Sequence, residues 1–224
     1  MDLEEYKRRM EEDKGWLPGL EALEECVRAV YPDQEPKHYP TPLEDRFTEG
    51  GEVYLDDCCV YESPDGHLLI LSHGMSNFYP SEEAFGGEFS GWGYEMTMRL
   101  PACEEADYMW AIETMLGMAR YTYTTRKYLE PTQYFSSGEP IKEGSDSKLV
   151  GLIVVEDPQL KGADTPHGRL DFLQLVGITL KEMEAIMGDW GQIRTLWKKM
   201  RKDNPLYITD LARTNNYIEW KPRF

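Results

Sequence analysis

Two proline-marked polar clusters stand directly before the densest apolar run of the chain. Glu156-Asp157-Pro158-Gln159-Leu160 is followed, after a spacer from Lys161, by Thr165-Pro166-His167-Gly168 and then by apolar residues from Leu170 to Ile178. A residue before proline is pushed out of the helical region, so Asp157 and Thr165 each mark extended or turn geometry. Gly168 then resets the backbone before a strand over Leu170–Val176 that contains Gln174. A glutamine buried there needs its amide satisfied, so it is pinned by a partner or aimed at one. Asp157-Pro158 has the form of a turn whose carboxylate bonds nearby backbone amides. Asp157, Pro158, Thr165, Pro166, Gly168 and Gln174 therefore specify architecture before they specify chemistry.

A chain of 224 residues is long enough to bury a sizeable core without a disulfide or metal staple. No apolar run approaches the length that spans a bilayer, and the charged start Met1-Asp2-Leu3-Glu4-Glu5 is unlike a signal peptide, so the expected compartment is the cytoplasm. The net charge of −17 argues against nucleic acid and anionic membranes as partners, because phosphate contacts need Lys and Arg. Acidity serves solubility in general, and it also suits a protein that plugs a basic site. Cys26, Cys58, Cys59 and Cys103 form no CxxC pair, and Cys58 and Cys59 point to opposite faces if they lie on a strand.

Along the chain, residues 1–16 are a charged helix or arm, 17–214 a domain, and 215–224 a tail. A helix begins near Pro18 with Leu20, Leu23, Val27 and Val30 on one face and ends at Tyr31-Pro32. Strands are expected at Tyr54–Glu62 and His67–His73, joined by Ser63-Pro64-Asp65-Gly66. In a further strand Tyr94, Met96, Met98 and Leu100 share one face and Glu95, Thr97 and Arg99 the other. A helix over Glu104–Thr125, a mobile loop over Glu130–Ser147, and neighbouring strands Leu149–Glu156 and Leu170–Val176 follow. Thr179 and Glu182 form a capping box, Asp189 is placed to cap the next helix, and Leu206–Leu211 has the pattern of a last core strand. Strands and helices mix without regular βαβ alternation, so the fold class is α+β: a mixed β-sheet packed against helices.

A series of blocks follows in order along the chain: Gly19-Leu20 with Tyr31-Pro32-Asp33-Gln34, then Gly50-Gly51, Leu55-Asp56 and Val60-Tyr61. Gly74-Met75-Ser76-Asn77-Phe78-Tyr79, Ser90 through Leu100, Ala119-Arg120-Tyr121, the Glu156–Ile178 segment, and Ile208-Thr209-Asp210-Leu211 with Arg213 complete the series. Taken together and in this order, these blocks resemble the Suppressor of fused domain family, in particular its bacterial single-domain members. The resemblance implies a non-enzymatic domain that works by binding protein. In animal members a peptide of a Gli transcription factor is clamped as an added strand between this domain and a second one. Bacterial relatives look like immunity proteins of polymorphic toxin systems, which would make the partner a cognate toxin; the alternative is a regulatory or scaffold adaptor for an unknown protein partner, ahead of an uncharacterised hydrolase. Tyr121 matches a peptide-contacting tyrosine. Thr132-Gln133-Tyr134 stands where animal members carry an acid-containing triplet, Asn77 where an acid is usual, and Leu69 where a second histidine is common.

On these grounds the partner-binding candidates are Tyr121, Gln133, Tyr134, Asp157 and His167, with Thr209 and Asp210 added to the structural set. Asp210, at the end of its segment, pairs with Arg213 or caps the turn. No cofactor is implied, and no catalytic residue: the chain has no Gly-x-Ser-x-Gly elbow, no His-Glu-x-x-His and no phosphate loop that opens a helix. His67 and His73 fall on one side of a strand, where Cys58 or Cys59 of a neighbour would make a metal site conceivable. Two hydrogen-bonded histidines without metal are the reading we favour. Trp92, Trp110, Trp190 and Trp197 are expected in the core, and Trp16 and Trp220 on the contact surface.

Overall fold

The computed structural model describes residues 1–136 and 138–219. Its centre is an eight-stranded sheet in the order β1-β2-β3-β4-β8-β6-β5, with β7 pairing β8 off that path. The strands are β1 (Lys37–His38), β2 (Asp57–Glu62), β3 (His67–His73), β4 (Phe89–Pro101), β5 (Tyr134–Ser136), β6 (Leu149–Glu156), β7 (Ala163–Thr165) and β8 (Gly168–Thr179). Among the strands of the described residues only β4 and β8 run parallel; every other strand pair is antiparallel. The helices are α1 (Leu3–Glu12), α2 (Pro18–Arg28), α3 (Glu105–Thr125), α4 (Leu180–Gly188) and α5 (Gln192–Asp203). The class is α+β, as the mixed order of elements implies.

Period-two alternation sorts the sheet residues onto two faces. Cys58, Val60, Leu68, Ile70, Met96, Met98, Leu152 and Val154 join α3 in one core. On the opposite face Cys59, Tyr61, Leu69, Leu71 and Phe172 pack under α2, while Ile153, Val155, Val176 and Ile178 pack under α4 and α5. Gly19 lets α2 lie against the sheet: a Cβ there would stand 1.8 Å from the Asn77 carbonyl oxygen. Between the two apolar clusters of this second face runs a buried polar strip from Glu95 through Thr97 and Arg99 to Gln174, each with 0% exposure. The alternation in β4 is therefore as expected, but its polar face meets protein rather than water.

Arg99 donates to both carboxylate oxygens of Asp157, at 2.6 and 3.0 Å, and to Gln174 Oε1 at 2.8 Å. Thr97 Oγ1 donates to the same carboxylate, and Asp157 Oδ1 accepts from the amides of Gln159 and Leu160. That last pair is the turn bonding expected of Asp157-Pro158. Gln174 Nε2 donates to the carbonyls of Leu206 and Tyr207, the Thr209 amide donates to Arg99 O, and Thr209 Oγ1 accepts from Gly177 N. Leu206–Leu211 is consequently no strand. Its backbone is spent on side chains and on the gap left where β4 and β8 part beyond Thr97 and Gln174.

Other expectations are corrected. The charged N-terminal segment does form a helix, yet it is anchored: Tyr6 is fully buried, with its ring 5.0 Å from that of Trp16, and Trp16 is only 2% exposed. Trp190, expected inside, is 53% exposed; Trp220 lies outside the described residues. Of the two alternatives for Asp210, it takes the turn cap, accepting from Ala212 N, and Arg213 instead meets Glu182 with both terminal nitrogens. Glu182 also completes the capping box with Thr179 and accepts from Tyr217 N, so the chain remains packed through Ile218. Asp189 sits just ahead of α5 and binds Gly191 N. Within Glu130–Ser147 a short strand, β5, is formed.

Glu95 is wholly buried. Its Oε1 accepts from the amides of Gly74, Met75 and Ser76 and from the Ser76 hydroxyl; Oε2 accepts from Ser72. Burial pushes its pKa up to about 7, against the pull of those donors.

Two outcomes follow. Asp157→Ala leaves the Arg99 guanidinium buried and uncompensated, and urea unfolding should report a loss of about 3–5 kcal/mol; a loss below about 1 kcal/mol would sink the central role of this pair. Because the folded pKa of Glu95 lies above its unfolded value, the folded state holds the extra proton. Stability from this group is present below the unfolded pKa and is lost as pH rises through about 7. The slope is up to about 1.4 kcal/mol per pH unit, and Glu95→Gln should flatten it in pH-dependent unfolding.

Candidate functional site

The last strand of the sheet path, β5, has one edge against β6 and, among the described residues, no strand on the other. Val154 N donates to Gln133 O, and the register sets Phe135 against Leu152. In an antiparallel ladder alternate residues turn their N–H and C=O outward, so those of Tyr134 face the open side. The turn before β5 is held by Gln133, whose Oε1 accepts from Glu130 N and whose Nε2 donates to Tyr128 O. Thr132, next to it, has φ +88. A β-branched residue rarely takes that conformation, so backbone strain is stored in the turn that aims the strand.

Aromatic rings flank the edge on both faces of the sheet. Phe135 meets Tyr121 of α3 at 5.4 Å between centroids, and Tyr134 meets Trp190, ahead of α5, at 5.6 Å. Trp190 and the neighbouring Met187 are 53% and 63% exposed, more than isolated surface chance requires for two large apolar groups so close in sequence. The structure thus brings Tyr121, Gln133 and Tyr134 to one edge.

A groove of about 830 Å³ adjoins this turn. It opens where the β4–β8 register shifts between Phe89 and Tyr94, and it is bounded by Tyr128–Pro131 on one side and Leu160–Gly162 on the other. Trp92 forms part of it, its ring 5.2 Å from both Tyr123 and Tyr128. Glu88, Glu130, Glu156 and Asp171 line it against Lys161 and Arg169, and Arg169 is already paired with Asp171 at 2.6 Å. The electrostatic balance of the groove is negative.

Asp157 borders this groove, whereas His167 lies outside its lining. The Asp157 side chain has no exposure and is committed to Arg99. His167 is likewise at 0%. Its Nδ1 donates to the Asn77 carbonyl at 2.9 Å, so Nε2 accepts from the Tyr6 hydroxyl at 2.7 Å, and that hydroxyl in turn accepts from Ser81 N. Burial lowers the His167 pKa and keeps the ring neutral. Thr165 Oγ1 accepts from His167 N and donates to Gly168 O, closing the Pro166-His167 turn. Gly168 has φ +107, and a Cβ there would stand 2.4 Å from Gly87 O. Neither Asp157 nor His167 offers a face to a partner in this arrangement; they hold the walls of the site. What the sequence reading missed is Tyr6, Phe89, Trp92, Tyr128 and Trp190. Their signal, aromatic residues outside any periodic stripe, is weak until the fold is known.

The Suppressor of fused protein (SUFU) family model matches residues 51–214. The chain belongs to the Suppressor of fused family. The human Suppressor of fused homolog is 31% identical over 223 residues, which is 91% of this chain and 45% of that protein. The chain therefore spans just under half the length of this curated relative. A Sufu–Fu complex crystal structure matches with TM-score 0.77 at 28% identity, covering 89% of this chain and 92% of that one. Drosophila Suppressor of Fused matches with TM-score 0.76 at 27% identity, over 90% of this chain and 51% of that one. Among the described residues no helix is long and apolar enough to cross a membrane.

If His167 is a stitch rather than a contact, Tyr6→Phe should behave as a stability variant. It strips the bond from His167 Nε2 and leaves Ser81 N without its acceptor, which costs about 1–3 kcal/mol in thermal or urea unfolding. A stability unchanged from the parent chain would contradict that role.

Proposed function

We propose that this chain is a non-enzymatic domain that binds an extended segment of a partner protein along the open edge of β5. The observation that carries the reading is the outward-facing backbone of Tyr134, flanked by Tyr121 and Phe135 on one face and by Trp190 on the other. Strand addition at such an edge draws affinity from main-chain hydrogen bonds and selectivity from side-chain pockets. The adjoining groove supplies the pocket, and its carboxylates favour a segment with basic side chains. Tyr121, Gln133 and Tyr134 are the contacts in this reading, while Asp157, His167, Gln174 and Thr209 position them. A structural relative is known as a complex, Sufu with Fu, which supports protein binding as the mode. Among the described residues that line the groove, no nucleophile, base and orienting group come together, the minimum for an enzyme reading.

A narrower form makes the partner a cognate toxin that this chain neutralises, with the net charge of −17 as its support. Co-expression of this chain with the product of an adjacent toxin gene should then restore growth.

Proline separates edge addition from other modes. Tyr134→Pro removes an outward N–H without touching the ladder to β6, whereas Tyr134→Ala removes the ring and keeps the N–H. Partner affinity should fall at least about tenfold in the proline variant and less in the alanine variant, a tenfold change being about 1.4 kcal/mol. Equal partner binding by the parent chain and Tyr134→Pro, measured by calorimetry, would overturn the edge reading. Growth protection retained by Tyr134→Pro would do so for the toxin form.

A further inference from the structure

At the opposite end of the sheet, three metal-binding side chains of different type converge. The register sets His38 of β1 directly across from Cys59 of β2, and Asp57 lies two residues before Cys59 on the same strand. Cross-strand partners and i, i+2 neighbours project to one face, so all three side chains stand together by backbone geometry alone. His38 Nδ1 is 2.5 Å from Asp57 Oδ2 and 3.3 Å from Cys59 Sγ, and Sγ is 3.5 Å from Asp57 Oδ2. These three are a group of donor atoms that could hold a metal ion.

We propose that His38, Asp57 and Cys59 form a site for a divalent transition metal of the zinc class, with the fourth position open. Tetrahedral zinc with S, N and O donors at about 2.0–2.3 Å requires donor–donor separations of roughly 3.2–3.6 Å. The two distances to sulfur already match. The imidazole–carboxylate distance must open, and His38 is free to supply that movement, being 55% exposed on a two-residue edge strand. A mixed thiolate, imidazole and carboxylate set selects a borderline metal over magnesium or calcium.

Surrounding groups fit the same assignment. Asp57 Oδ1 accepts from Tyr39 N at 2.9 Å, which orients the carboxylate and leaves Oδ2 toward His38. Holding a ligand by its far atom is the usual outer-shell arrangement. His73, paired across from Asp57 on β3, brings Nδ1 to 3.7 Å from the Cys59 sulfur. Its Nε2 is buried and, among the described residues, has no hydrogen-bond partner. The tautomer with the proton on Nδ1 leaves Nε2 a bare acceptor and points an N–H at sulfur, a stronger bond to a thiolate than to a thiol. A cavity of about 480 Å³, lined by His38, His73 and Tyr31, gives solvent or a further donor access to the site.

The rival arrangement, a nucleophilic thiol relayed through histidine to carboxylate, needs sulfur and carboxylate on different ring nitrogens. Here one nitrogen, Nδ1, faces both. The donors converge on a point instead of forming a relay.

The full chain, freed of any tag and stripped with a chelator, should bind about one equivalent of Co²⁺ with a near-ultraviolet thiolate charge-transfer band, displaced by Zn²⁺. Zn²⁺ should also raise its thermal midpoint. His38→Ala, at an exposed edge, should keep the fold by circular dichroism and weaken metal binding at least about tenfold; Cys59→Ser should abolish the charge-transfer band. Absence of that band in the parent chain, or an affinity unchanged in His38→Ala, would overturn the site.

Discussion

A guanidinium and a carboxylate with no solvent exposure hold this sheet together. Removing two charges from water costs several kcal/mol per ion, and only close pairing with further hydrogen bonds offsets it. Arg99 and Asp157 meet that requirement with a two-point contact, and Thr97, Gln174 and two backbone amides saturate most of what remains. The pair joins the end of β6 to the one parallel junction of the sheet, β4 with β8. It also fixes the Leu206–Thr209 segment through Gln174 and Arg99 O. An apolar replacement of equal volume would not discriminate register so sharply, since a one-residue slip of β4 would strand the charge on the α3 face.

Legibility in the sequence follows the strength of local pattern. The strands His67–His73 and Leu149–Glu156 coincide with the expected spans because each is built on a run of four apolar residues, Leu68–Leu71 and Leu152–Val155. The Thr179 capping box was legible for a comparable reason: both partners lie within one helical turn. Leu206–Leu211 has the composition of a strand, but its backbone is claimed by side chains from distant strands, which no local pattern records. Tyr6 is one ring among charges and carries no periodicity, so its burial against His167 was invisible. Trp190 and Trp16 exchanged places for the same reason. Of the site, Tyr121, Gln133 and Tyr134 came from family resemblance, whereas Asp157 and His167 were offered both as architecture and as contact, and their side chains are buried.

The two ends of the sheet are treated differently. Unpaired strand edges invite association with other chains, and short edge strands limit that exposure. Both β1 and β5 are short, with two and three residues. At β5 the open backbone is framed by aromatic rings and backed by a strained turn, which suits a directed contact. At β1 the neighbouring side chains are donors for a metal, which would tie the edge to β2 and remove its freedom.

The parallel junction has a consequence for the growing chain. Tyr94 of β4 pairs with Asp171 of β8, and Tyr6 near the start waits for His167. Antiparallel β2, β3 and β4 lie close in sequence and can pair early, but they then present a half-built sheet whose middle strand-to-be is an edge. On that edge Arg99 has no counter-charge until Asp157 arrives. Such long-range closure is slow and leaves apolar strand surface uncovered meanwhile. During synthesis the last third of the chain therefore acts as the lid on its first two thirds.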